Sequence, residues 1–144
     1  MSADSSARDT VSDVSLPRDP LVVVDGNNVM GSRPDGWWKD RPGAARRLVG
    51  QLGDWAASTD HDVLVVFDGA PPPDLEAPPR VEVRFARRRG RDAADDDIAA
   101  FVADDVAPER LRVVTSDAEL ARRVRKHGAE VVRARELLDQ LDRR

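Results

Sequence analysis

Three separate apolar runs in this chain end in the same residue. Residues 21–25 read LVVVD, residues 63–68 read VLVVFD, and residues 111–117 read LRVVTSD. Valine- and leucine-rich runs of this length suit strands covered on both faces. Helical spacing separates them: Ala45, Leu48, Leu52 and Trp55 recur on one face of AARRLVGQLGDWAAS, and Ile98, Phe101, Val102 and Val106 on one face of residues 94–106. Strands alternating with helices argue for an α/β fold with a parallel sheet covered on both sides. Parallel strands place their carboxyl ends along one edge, and open α/β sheets carry their sites beyond that edge. The three terminal aspartates are therefore expected to converge.

The remaining segments follow from their punctuation. Residues 1–18 are rich in Ser and Asp and lack periodicity, so a disordered lead-in is expected, with a single domain over 19–144. A first strand covers 20–24, and the Gly/Pro/Trp loop GSRPDGWWKDRPG precedes the first long helix. The second strand, over 63–69, leads into the proline loop APPPDLEAPP. RVEVRFA alternates as a half-exposed strand does, and RRRGRDA is a charged loop. Helices are expected over 94–106, 118–127 and 135–141, with a short last strand over 129–132. The 144 residues carry a net charge of -4, so contact with a polyanion must come from a local patch. There is no cysteine, and His61 and His127 are the only imidazoles. A thiolate or histidine-rich zinc site is thereby excluded, and both histidines are expected to be structural. No apolar stretch is long enough to cross a bilayer, and MSADSSARDTVSDVSLPRDP has no signal-peptide core. A cytoplasmic protein is expected.

The acids carry the chemistry. Beside Asp25, Asp68 and Asp117, the segment DAADDDIAAFV opens a helix with Asp95, Asp96 and Asp97. Each element also has a purely structural reading. Asp-Gly after a strand suits a turn, acids in a first helical turn suit the helix dipole, and Thr-Ser-Asp suits an N-cap. Taken together, several carboxylates on one sheet edge repel one another and raise each other's pKa values. A hard divalent cation relieves that repulsion, and carboxylate with water suits Mg²⁺ or Mn²⁺.

VVVDGNNVM, VLVVFDG, DAADDDI and VVTSD also resemble, in order and spacing, the NYN domain of PIN-like nucleases, especially its YacP-like branch. The resemblance spans roughly residues 20–141. It implies a Rossmann-like three-layer α/β/α sandwich and cleavage of RNA by an acidic cluster that binds Mg²⁺ or Mn²⁺. It assigns metal roles to Asp25, Asp68, Asp95 and Asp117, makes Asp96 a further catalytic candidate, and matches Asn28 to the amide after DG. Related YacP-like proteins tend to carry an aromatic residue where this chain has Asn27. The implied partner is RNA, single-stranded, with association with the ribosome, DNA as substrate and a dimer left open. A nuclease must also hold a polyanion. Arg80, Arg84, Arg87, Arg88, Arg89 and Arg91 crowd before the acidic helix and suit phosphates, or else form a solvated loop that balances the neighbouring acids. Trp37 and Trp38 suit base stacking, or else pin their loop to the body. The basic surface of Arg122, Arg123, Arg125 and Lys126 is expected to be solvated.

Three other readings compete. A response-regulator receiver expects paired acids after the first strand, where this chain has DGNN, and a lysine after the last strand, where it has Arg133. A haloacid-type phosphatase expects a second acid at position 27, which is Asn. A binding-only NYN domain stays open on sequence grounds.

Overall fold

The computed structural model describes residues 20–86 and 93–143. The expected disordered lead-in and most of the charged loop lie outside the described residues. Five strands, β1 (Leu21–Asp25), β2 (Asp62–Phe67), β3 (Val81–Phe85), β4 (Leu111–Val114) and β5 (Glu130–Val132), form one sheet in the order β3-β2-β1-β4-β5. Every pairing is parallel. Five α-helices accompany them: α1 (Gly26–Gly31), α2 (Arg41–Thr59), α3 (Ala93–Asp104), α4 (Ala118–Lys126) and α5 (Ala134–Asp142).

The period-two alternation of each strand sorts its side chains between two cores. Val22, Val24, Val63, Val65 and Phe67 face α1, α2 and α5, where Leu48, Leu52 and Leu138 fill the layer. Val23, Leu64, Val66, Leu111 and Val113 face α3 and α4, meeting Ile98, Val102 and Leu120. The result is a three-layer α/β/α sandwich around a parallel sheet, as expected. The β2–β3 crossover is the proline segment rather than a helix. Leu75 packs on the first core, and a Cβ on Gly53 of α2 would stand 2.6 Å from the Pro78 ring. Glycine at 53 therefore lets this crossover lie flat against α2.

Some sequence boundaries shift. DGNNVM is not a turn: α1 begins directly after Asp25. The third helix stops at Asp104, so Val106 lies beyond it and is 98% exposed instead of sharing the buried face. Phe101 is half-buried. At the opposite edge of the sheet, Trp55 donates from Nε1 to Gln140 Oε1 at 3.0 Å and stacks on His61 with ring centroids 5.1 Å apart. His61 is thus a packing residue, and His127 is an exposed C-cap of α4.

Candidate active site

The strand order reverses between β1 and β4, because the chain builds outward from β1 first on one side and then on the other. Such a switch point opens a crevice beyond the carboxyl ends of the strands. Alternation decides which side chains enter it. Asp25 continues the Val23 face, Asp68 the Leu64–Val66 face and Thr115 the Leu111–Val113 face, and all of these face α3 and α4. Asp95 lies in the first turn of α3, and Asp117 is the N-cap of α4. The two helices thus bring their acidic ends to the strand ends that carry the other acids.

Asp25 is the centre of the arrangement, 3% exposed. Thr115 Oγ1 donates to Asp25 Oδ2 at 2.9 Å and accepts from the Asp117 backbone N–H at 3.1 Å. Burial pushes the Asp25 carboxyl up to about 7; the Asp95 and Asp117 charges add to the rise, while the Thr115 hydroxyl and the Asn28 backbone oppose it. Asp25 thus feels the charges of two helix-borne acids, Asp95 and Asp117.

The other predicted residues divide. Asn28 Oδ1 accepts from the Ser116 N–H at 2.7 Å, tying α1 to the turn after β4. Asn27 does the same on the other side, accepting from the Asp68 N–H at 2.7 Å. Asp68 Oδ1 in turn accepts from Ala94 N at 2.8 Å, fastening the start of α3. Asp117 Oδ1 accepts from Glu119 N and Leu120 N, so the N-cap reading of this acid is correct alongside its place at the site. Asp96 accepts from Arg123 at 2.9 Å, an α3–α4 bridge that takes Arg123 out of the solvated basic surface. Among the described residues, no three Asp, Glu or His side chains group closely enough to hold a metal ion. The donor chemistry does suit a hard cation. These are oxygen ligands, one of them buried and burdened by two neighbouring charges.

The basic candidates separate more sharply. Arg87, Arg88, Arg89 and Arg91 lie outside the described residues. Arg80 stands at the amino end of β3, on the edge away from the acids, and is held by Asp60 and Asp62. Sequence proximity misplaced it, because β3 carries the chain across the sheet between Arg80 and the acidic helix. Arg84 pairs with Glu82 at 2.6 Å and lies over the Phe101 ring. Trp37 packs on the first core beneath Arg41, so it pins the loop, whereas Trp38 is 57% exposed. Sequence reasoning missed two residues. Thr115 was legible in principle, since it falls two positions after Val113 on the same strand face. The Arg123–Asp96 bridge was not, because it needs the α3–α4 packing.

No curated protein sequence matches this one significantly. Two crystal structures of Rae1 (YacP) from Bacillus subtilis, one unmutated and one a tryptophan-to-leucine mutant, are similar in fold. Each has a TM-score of 0.69 and 26% sequence identity over 85% of this chain. The matched region spans 73% of the unmutated Rae1 chain and 75% of the mutant. Among the described residues no helix is long and apolar enough to cross a membrane. The sequence profile of the YacP-like NYN domain matches residues 22–144. This chain belongs to the YacP-like NYN domain family, a nuclease-like family of PIN-like fold.

Proposed function

We propose that this protein is a cytoplasmic ribonuclease that hydrolyses RNA phosphodiester bonds with the aid of Mg²⁺ or Mn²⁺. The observation that carries the reading is Asp25: a carboxyl buried at the switch point, raised to about 7 by burial and by the Asp95 and Asp117 charges. Asp25, Asp68, Asp95 and Asp117 would hold the ion, which when bound supplies a Lewis acid and a water of lowered pKa.

The chain's own residues supply order. Thr115 fixes the Asp25 carboxylate, and its bond from the Asp117 N–H fixes Asp117 relative to it. Asn28 holds the turn after β4, and Asn27 with Asp68 holds the start of α3. Asp95 is a stronger catalytic candidate than Asp96, because Asp95 is one of the two charges that raise Asp25, whereas Asp96 bridges to Arg123. Trp38 suits stacking on an unpaired base, which favours single-stranded RNA. Arg84, which lies over the Phe101 ring of α3, and the arginines at 87, 88, 89 and 91 suit phosphate contacts, and association with the ribosome fits the same substrate class.

The decisive assay incubates purified protein with end-labelled single-stranded RNA in Mn²⁺ or in EDTA, alongside Asp25→Asn. Cleavage in Mn²⁺ alone, abolished in the variant, is expected. Equal cleavage by both proteins would overturn the assignment. A second reading, an RNA- or protein-binding NYN domain that does not cut, is favoured by the absence of a three-acid group among the described residues. Retained RNA binding without cleavage under any divalent ion would select it.

A further inference from the structure

A strand of RNA that reaches this site meets carboxylates at the carboxyl ends of the strands. Coulomb repulsion between a phosphodiester and three or four acids opposes approach unless a cation nearby is not already spent on an acid. Among the described residues, Arg123 is held by Asp96, Arg33 by Asp142 and Gln51, and Arg135 donates to the Ser32 carbonyl.

Arg133 is different. It follows β5 directly, with extended backbone at φ -70 and ψ 147, so the strand's alternation runs through it. Val131, two residues earlier, packs on the core of α3 and α4, which sends the Arg133 Cβ toward that same layer. Register sets its neighbour. Val114 pairs with Val132, and the Thr115 N–H donates to the Val132 carbonyl at 2.9 Å. The next step places Arg133 beside Thr115, about one strand spacing (~4.8 Å) away in the backbone. Thr115 is the residue that bonds Asp25. Arg133 is exposed, and it enters none of the described ion pairs or side-chain hydrogen bonds.

We infer that Arg133 is a substrate-binding residue, which takes an RNA backbone phosphate on the β5 side of the crevice. A guanidinium is suited to this role, since it presents paired donors to phosphate oxygens and keeps its charge at any working pH. The acids sit between Arg133 on one side and the α3 side of the crevice on the other. A strand bound to Arg133 therefore passes across the switch point. The inference rests on the proposed RNA-cleaving function.

The test measures binding of a short fluorescein-labelled oligouridine RNA by anisotropy, in EDTA so that nothing is cut, over a series of salt concentrations. Three variants are compared with the unmodified protein: Arg133→Ala, Arg133→Lys, and Arg125→Ala. The last removes the same charge from the exposed end of α4, at the opposite edge of the sheet. Loss of one phosphate contact lowers the salt slope by about 0.7 and weakens binding about fourfold near physiological salt. That change is expected for Arg133→Ala, with Arg133→Lys keeping most of the slope and Arg125→Ala all of it. In the Mn²⁺ cleavage assay, Arg133→Ala is expected to raise KM and spare kcat. An unchanged slope in Arg133→Ala, or an equal change in Arg125→Ala, overturns the inference alone. Failure of the unmodified protein to bind RNA at any salt overturns the inference together with the binding of RNA on which it rests. Binding that depends on Arg133 in a protein that never cuts upholds the inference and rejects only the cleavage.

Discussion

At the scale of single residues, Asp25 makes the protein's stability depend on pH in an unusual direction. Its carboxyl holds a proton up to about 7 in the folded state, against an ordinary 3.8. Between those values the folded chain binds more protons than the unfolded one, so stability falls as pH rises through that window and this group adds no further change above it. The full span is worth roughly 4 kcal/mol at 1.36 kcal/mol per unit. Urea melts in EDTA are expected to show this descent in the unmodified protein and not in Asp25→Asn; parallel profiles would reject it. Thr115→Val removes the hydroxyl that favours the Asp25 anion. A hydrogen bond to a charged group is worth about 1.5–3 kcal/mol, so cleavage is expected to drop about ten- to hundredfold. The pH–rate profile should move to higher pH, a displacement that simple loosening of the fold would not produce. The four motif acids could be read from the chain because each closes a recognisable run or opens a helix. Thr115 escaped notice because an N-cap explained its neighbourhood, and Arg80 was misplaced because linear nearness says nothing about which end of a strand a residue occupies.

At the scale of elements, α1 is short but fastens two strand ends through adjacent amides, Asn27 toward β2 and Asn28 toward the turn after β4. It starts at Gly26, where a Cβ would stand 2.5 Å from the Phe67 ring and 3.0 Å from the Val66 carbonyl. Gly26→Ala is therefore expected to cost about 1–3 kcal/mol, as overpacking does, and to weaken cleavage by displacing Asp68. A thermal melt and the RNA assay together check this. The α3–α4 bridge behaves differently. Arg123 and Asp96 are 36% and 40% exposed, so the pair contributes under about 1 kcal/mol. Asp96→Asn should leave stability nearly unchanged and cost less activity than Asp95→Asn; the reverse order would make Asp96 the catalytic member. Strands and long helices were legible in the sequence because their periods are strong. The helix at DGNNVM was not, since Asp, Gly and Asn favour turns and only its seat between β1, α2 and α5 makes it helical.

For the molecule as a whole, two apolar layers share one five-stranded sheet, which makes them a single cooperative unit. Leu138→Ala on one side and Ile98→Ala on the other should each lower the same urea transition by about 2–5 kcal/mol. Two separate transitions would contradict this coupling. Sheet class and the gathering of acids at one edge followed from pattern alone. The strand order and the pairing of each helix with a face did not, because both depend on crossovers that leave no periodic trace. The tryptophans divide along the same axis. Trp55 is 5% exposed and bonded to Gln140 far from the acids, whereas Trp38 is largely open near the start of α2. Intrinsic fluorescence is therefore expected to contain a blue-shifted component from Trp55 that reports unfolding and a red-shifted one from Trp38 open to quenching by nucleobases, with the half-buried Trp37 between them. Ligand titrations and melts can be followed in one cuvette without any added dye.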